Sequence, residues 1–135
     1  MEQLVGGNET ILIVDDQETV WDFLIEALQH LGYSVLLAEN GEDAVSICQA
    51  NPKQVDLVLL DMIMPKLGGH ATFYKLHEID PNIKILLSSG FVSLEAVTDL
   101  LNNGANGFLA KPHRLKEMTT EIRRILDEGK DKKTE

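Results

Sequence analysis

Several features that mark particular classes of protein are scarce in this chain. Of its 135 residues only Cys48 is a cysteine, so no internal disulfide can form. No apolar run approaches the ~18 residues of a membrane span, and no apolar signal segment is present at the start. Basic residues are also scarce, because 12 Lys and Arg stand against 22 Asp and Glu, which gives a net charge of −10. We therefore expect a cytoplasmic protein that binds neither membranes nor nucleic acid directly.

Short apolar runs alternate five times with amphipathic segments of helical period. This alternation predicts an α/β fold in which helices cover both faces of a parallel sheet. The strands are predicted at 11–14, 34–38, 56–60, 83–88 and 107–110. Asn40 is predicted to cap the second helix. In the fourth helix, about 93–102, the spacing predicts Leu94, Val97 and Leu101 on the inward face.

The pattern also predicts the extent of the domain. No linker, repeat or low-complexity block interrupts residues 9–128, so we expect these residues to form one domain. Residues 1–8 are expected to be a disordered lead and residues 129–135 a flexible tail.

Charged and hydroxyl side chains follow the predicted strands, where an open parallel sheet binds its ligands. In chain order these residues are Asp15 and Asp16, Asp61, Ser88-Ser89-Gly90, and Lys111-Pro112. Three carboxylates that meet at one edge repel each other unless a cation joins them, and such hard oxygen ligands suit Mg²⁺. In this arrangement Asp61 could attack a phosphoryl group as a nucleophile. Asp16 could share the metal with Asp61, while Lys111 and Ser89 bind phosphoryl oxygens.

Each of these short signals also has a purely structural interpretation. Asp15 or Asp16 alone is more typical of a helix N-cap than of a metal ligand. Ser88-Ser89-Gly90 is typical of a turn, and Lys111-Pro112 alone is typical of an exposed turn. Their joint order on successive strand ends favours the functional interpretation.

As a set, the motifs resemble the receiver domain of two-component response regulators. The matching segments are residues 11–16 (ILIVDD), 59–65 (LLDMIMP), Gly69, Ser89-Gly90 and Lys111-Pro112. The resemblance covers nearly the whole chain. It implies an α/β fold with a five-stranded parallel doubly wound sheet of strand order 2-1-3-4-5 and five helices.

The resemblance also implies a role for individual residues. Asp61 would be the phosphoacceptor, and Lys111 would be the charge partner of the phosphoryl group. Ser89 would be the switch hydroxyl, and Phe108 takes the switch aromatic position. Mg²⁺, for which Mn²⁺ can substitute, would be bound by Asp15, Asp16, Asp61 and the backbone carbonyl of Ile63.

The function implied by the resemblance is signalling rather than enzymatic turnover of small molecules. A histidine kinase or phosphotransfer protein would pass a phosphoryl group from its phosphohistidine to Asp61, and the domain would later dephosphorylate itself. Phosphorylation would change the surface of the fourth helix, fifth strand and fifth helix. A downstream effector would read that surface, either in trans or on a chain segment removed here. The resemblance fits both a free-standing regulator and the receiver of a hybrid sensor histidine kinase.

Two positions near the expected site are apolar where some rapidly dephosphorylating relatives are polar. These are Ile63, two residues after Asp61, and Phe91, two residues after Ser89. We hypothesise that they shield the acyl phosphate from water. The alternative is that both are simply packed apolar residues of the surface.

Two other functions compete with a phosphorylated receiver. A metal-dependent phosphohydrolase of the haloacid dehalogenase type shares the aspartyl-phosphate chemistry. Such enzymes carry a second Asp two residues after the nucleophile as general acid and base, and this chain has Ile63 there. The other alternative is a receiver-like interaction module that is never phosphorylated, although the presence of both Asp61 and Lys111 argues against it.

Overall fold

Strands and helices alternate along the chain in the computed structural model, which describes residue 4 and residues 6–63, 67–90, 93–111 and 114–133. At residues 18–21 and 129–133 it describes the backbone alone. The strands in these ranges are β1 (Thr10–Val14), β2 (Ser34–Ala38), β3 (Leu57–Asp61), β4 (Ile85–Ser89) and β5 (Gly107–Ala110). The helices are α1 (Glu18–His30), α2 (Gly41–Ala50), α3 (Gly69–Ile79), α4 (Leu94–Asn102) and α5 (Leu115–Lys133).

All strand pairs are parallel, and the sheet order is β2-β1-β3-β4-β5. This confirms the predicted fold. β3 and β4 end one residue later than the sequence predicts, because the ladder continues through the pairs Asp61–Ser88 and Ser89–Ala110. β4 also begins later, since the Ile83 N–H donates to the Asp80 carbonyl in the preceding turn. Because all the pairs are parallel, the carboxyl ends of the five strands lie at the same edge of the sheet.

The sheet is buried on both faces by separate apolar clusters. One cluster joins alternate strand residues to α2, α3 and α4, with Phe73, Leu76 and Leu100 fully buried. The other joins the remaining strand residues to α1 and α5, with Leu28 and Ile122 fully buried. The alternation follows from the two-residue period of a strand, which sends successive side chains to opposite faces. Within the described ranges, no helix has both the length and the apolar character needed to cross a membrane.

The inward face of α4 differs from the prediction. Leu94 is 81% exposed and Leu101 is 41% exposed, whereas Val97 and Leu100 are buried. Leu94 and Leu101 lie seven residues apart and share a face, so the helical period alone could not show which of the two apolar stripes meets the sheet. Leu100 packs in the cluster that contains Leu87 of β4, and this contact sets the rotation of the helix.

The structure describes contacts of the first residues and the extent of the last helix. The Gly7 N–H donates to the Leu31 carbonyl at 3.2 Å, and the Gly6 carbonyl accepts from Arg123 Nη1 at 3.3 Å. Gly6 and Gly7, in the segment that the sequence predicts to be a disordered lead, therefore contact the domain. The backbone of α5 is helical to Lys133, so the helix continues into the segment 129–133 that the sequence predicts to be a flexible tail. The apolar period stops near residue 126, so the helix beyond that point continues without an apolar face.

Candidate functional site

Three carboxylates meet at the carboxyl edge of the sheet. Asp15 and Asp16 directly follow β1, and Asp61 is the last residue of β3, the strand beside it. One oxygen of each carboxylate lies within 4.8 Å of the other two. Asp15 and Asp61 are buried, with 4% and 6% exposed, and Asp16 is exposed. The structure thus brings together the three aspartates that the sequence singled out.

Backbone hydrogen bonds orient the two buried carboxylates. Asp15 Oδ1 accepts from the Gln17 N–H at 2.9 Å, and Asp61 Oδ1 accepts from the Ile63 N–H at 3.2 Å. The N-cap of α1 is Gln17, which makes no side-chain capping bond. The interpretation of Asp15 or Asp16 as the N-cap is therefore wrong, because the chain makes a turn at the aspartates before α1 begins.

Lys111 reaches the carboxylates from the end of β5. Its Nζ donates to Asp15 Oδ2 at 2.9 Å and lies 3.6 Å from Asp61 Oδ2. The Lys111 side chain is only 22% exposed, so Lys111 itself is not the exposed residue that the turn interpretation predicts. One ammonium neutralises one of three carboxylates, and the site keeps a formal charge of −2 when all three are ionised.

The electrostatic environment of Asp61 disfavours its charged form. Burial is the largest cause and raises the pKa of Asp61, and the neighbouring charges of Asp15 and Asp16 raise it further. The Ile63 N–H and the Lys111 ammonium oppose this effect and lower the pKa. Two buried carboxylates that repel each other are stabilised by an additional cation.

The donor set of this cluster fits a hard divalent cation. Mg²⁺ prefers carboxylate, carbonyl and water oxygens and usually takes only one or two protein carboxylates directly. Three carboxylate oxygens within 4.8 Å of each other, with Asp16 open to solvent, meet that requirement. The excess negative charge points the same way, so the residues present fit Mg²⁺ or Mn²⁺.

The serines at the end of β4 are buried in the sheet. Ser88 is 3% and Ser89 is 2% exposed, so the turn interpretation of these two residues is wrong. The Ser89 carbonyl accepts from the Lys111 N–H at 2.9 Å, which holds the start of the lysine segment against β4. The sequence pattern places Ser88 at the end of a predicted strand but gives it no role of its own. The register would have revealed its position, since Ser88 pairs directly with Asp61.

The structure describes two of the four remaining expected residues. Phe108 on β5 is partly buried and packs against the apolar cluster under α3 and α4. The Ile63 side chain is 54% exposed just beyond Asp61. Phe91 and Pro112 lie outside the residues that the structure describes.

Gly69 allows α3 to pack against the loop that follows Asp61. A Cβ atom at Gly69 would lie 2.5 Å from Met62 Cα and 2.8 Å from the Asp61 carbonyl oxygen. The Gly69 N–H also donates to the Met62 carbonyl at 3.2 Å. This close approach explains in physical terms why the motif after Asp61 includes a glycine.

Comparison with known proteins identifies the family of this chain. A family model described as "Response regulator receiver domain" matches residues 11–123. The response regulator receiver protein CpdR of Brucella abortus is 32% identical over 116 residues, which cover 86% of this chain and 95% of CpdR. A receiver domain protein (CheY-like) from Methanospirillum hungatei has a TM-score of 0.86 and 28% identity, covering 93% of this chain and 99% of that chain.

Some relatives are much longer than this chain. The sensor kinase CckA of Brucella abortus is 32% identical over 123 residues, which are 91% of this chain but only 13% of CckA. The family assignment does not depend on these longer relatives, because the family model and CpdR, a relative of nearly equal length, both match this chain. The fold, the acidic edge and these similarities lead to one conclusion: the chain belongs to the response regulator receiver domain family of two-component systems.

Proposed function

We propose that this receiver domain accepts a phosphoryl group on Asp61 from the phosphohistidine of a histidine kinase or a phosphotransfer protein. The observation that carries the proposal is the position of Asp61. It is buried at the end of β3, with one oxygen within 4.8 Å of oxygens of Asp15 and Asp16 and another 3.6 Å from Lys111 Nζ. A nucleophilic carboxylate, a cation site and a fixed ammonium are the parts that phosphoryl transfer requires.

In the proposed reaction an oxygen of Asp61 attacks the phosphorus atom. A new P–O bond forms as the P–N bond breaks, and the bonding electrons remain on the histidine nitrogen. The product is an acyl phosphate, which water later cleaves at phosphorus to release phosphate and restore the carboxylate.

The protein residues neutralise and orient the phosphoryl group in this reaction. Asp15, Asp16, Asp61 and the Ile63 carbonyl would hold Mg²⁺ or Mn²⁺, which supplies positive charge to the phosphoryl oxygens. Lys111 would leave Asp15 to bind one phosphoryl oxygen, and Ser89 would donate a hydrogen bond to another. Each of these contacts replaces hydration that the buried site cannot provide.

Ser89 and Phe108 would transmit phosphorylation to a partner surface. Ser89 ends β4, and Phe108 on the neighbouring strand β5 pairs with Leu87, two residues before Ser89. Phe108 is partly buried and packs against the cluster under α3 and α4. Movement of the Ser89 hydroxyl towards the phosphoryl group would favour a different packing of Phe108 and of α4, β5 and α5. A downstream effector would bind the altered surface.

Similarity to part of CckA supports a receiver within a hybrid kinase, and similarity to CpdR supports a separate regulator.

We further propose that Ile63 prolongs the life of the acyl phosphate, together with Phe91. The Ile63 side chain is apolar and 54% exposed beside Asp61, so it offers an incoming water no hydrogen-bond partner. Ile63→Asn should therefore accelerate dephosphorylation several-fold, measured as loss of the phosphoryl mass after the donor is removed. Leu101→Asn, at an exposed apolar residue of α4, serves as the control and should leave the rate unchanged. Equal rates in the wild type and Ile63→Asn would contradict the shielding role.

Intact mass measurement tests the proposed function directly. The protein is incubated with acetyl phosphate in the presence of Mg²⁺, of a chelator, or of neither. We expect one added phosphoryl group that requires Mg²⁺ and is absent in Asp61→Asn. An adduct that persists in Asp61→Asn would refute Asp61 as the acceptor, and absence of an adduct with both acetyl phosphate and a phosphorylated kinase would favour an unphosphorylated docking module.

A further inference from the structure

Ser88 carries a buried hydroxyl that has no hydrogen-bond partner among the described residues. Most buried hydroxyls in native proteins are partnered, because an unpartnered one loses its hydration without compensation. An alanine or an aliphatic side chain would avoid that cost at this position. Ser88 is also the direct pairing partner of Asp61 across β3 and β4. The unpartnered hydroxyl therefore belongs to the strand position beside the phosphoacceptor.

The register places Ser88 and Asp61 on the same face of the sheet. Paired residues of parallel strands point to the same side, and the pair two residues earlier, Leu59 and Leu86, lies in the cluster under α1 and α5. Lys111 follows β5, and β4 separates β5 from β3 in the sheet. To bring its Nζ within 3.6 Å of Asp61, the lysine side chain must cross the end of β4. Ser88 is the last residue of β4 whose side chain points to this face of the sheet.

We propose that Ser88 is a positioning residue for Lys111. In this structure the ammonium donates to Asp15 Oδ2 at 2.9 Å. A cation bound by the three aspartates competes for that oxygen, so the ammonium must move away from Asp15. Ser88 Oγ then accepts one of its N–H bonds and holds Lys111 beside Asp61. The inference rests on the proposed function, because it assigns Ser88 to the same phosphorylation site.

Magnesium titration tests this role without requiring any phosphoryl transfer. We expect Ser88→Ala to weaken Mg²⁺ binding roughly three- to tenfold by calorimetry, the loss expected for one hydrogen bond. Ser88→Thr keeps the hydroxyl and should restore most of the affinity. Ser46→Ala, an exposed serine of α2, is the matched control and should bind Mg²⁺ as the wild type does.

A double-mutant cycle shows whether Ser88 acts through the lysine. Lys111→Met removes the competing cation, so this variant should bind Mg²⁺ more tightly than the wild type. In the Lys111→Met background, Ser88→Ala should have no further effect. An equal effect of Ser88→Ala with and without Lys111 would overturn the proposal.

Stability provides the readout that separates positioning from a structural role. Because the Ser88 hydroxyl has no partner among the described residues, Ser88→Ala should be at least as stable as the wild type in urea without Mg²⁺. A less stable Ser88→Ala protein with unchanged Mg²⁺ affinity would refute the inference. Failure of the wild type to gain a phosphoryl group on Asp61 would instead refute the proposed function, since the titration reports on Ser88 separately.

Discussion

Replacement of Asp61 by Asn should stabilise the metal-free protein, although it removes the proposed phosphoacceptor. Asp61 is buried, and its pKa is raised by burial and by the neighbouring Asp15 and Asp16 charges. A raised carboxyl pKa means that ionisation of Asp61 opposes folding at neutral pH. The opposition is full above the folded pKa and disappears as the pH falls through it towards the unfolded value of 3.8. Asparagine keeps the oxygen that accepts from the Ile63 N–H and removes the charge.

The distances give the size of the effect. The carboxylate oxygens lie within 4.8 Å of each other, so two of these charges repel by at least about 3.5 kcal/mol at an effective dielectric constant of ~20. At 3.6 Å, the attraction between Asp61 and Lys111 is of similar size and offsets the repulsion from Asp15. The screened repulsion from exposed Asp16 and the loss of hydration remain. We therefore expect Asp61→Asn to raise the free energy of unfolding by roughly 1–2 kcal/mol, or the melting temperature by roughly 3–8 °C.

The assay is thermal and urea unfolding at pH 7.5, with chelator and with Mg²⁺. In chelator, Asp61→Asn should be the more stable protein. At a Mg²⁺ concentration of about 100 times the dissociation constant, metal binding adds about 2.7 kcal/mol to the free energy of unfolding of the wild type. The wild type should then be more stable than Asp61→Asn. Asp22→Asn, an exposed carboxylate of α1, changes the net charge equally and should match the wild type. If Asp61→Asn is no more stable than the wild type in chelator, the electrostatic reasoning is wrong.

Two other predictions follow from packing and burial outside the carboxylates. Gly69→Ala should destabilise the fold by about 1–3 kcal/mol in urea unfolding, because the added Cβ would lie 2.5 Å from Met62 Cα. Gly68→Ala, where no atom lies within 4 Å of an added Cβ, should cost less, because only the N-cap preference of α3 for glycine is lost, and equal effects would contradict the argument. Burial lowers the pKa of His77, whose Nε2 has no partner among the described residues, while Asp80 opposes the shift. Below pH ~6.5 the unfolded chain therefore binds a proton that the folded protein resists. The free energy of unfolding decreases as the pH is lowered. In His77→Gln, the free energy of unfolding should decrease less between pH 7.5 and 5.5 than in the wild type. An unchanged pH dependence would refute the assignment to His77.

Local interactions along the chain determined the bounds of the strands and helices to within a few residues. Asn40 caps α2 as predicted, with its Oδ1 accepting from the Asp43 N–H at 2.9 Å, because this interaction involves only residues three apart. The apolar runs of β2 and β5 matched the observed strands for the same reason. Parallel pairing then followed from the alternation of strands and helices, and it brought the aspartates to one edge.

Long-range contacts decided what the sequence alone could not. The pairing of Lys111 with Asp15 joins residues 96 positions apart, and the exposure of Leu94 depends on how α4 meets the sheet. The place of Ser88 beside Asp61 depends on the register between β3 and β4. The sequence by itself determined which side chains lie at the carboxyl edge, because strand ends and helix caps are local. Only the tertiary structure decided which charges pair and which buried hydroxyl has no partner in the part of the chain that the structure describes, because distance and burial arise when the elements pack.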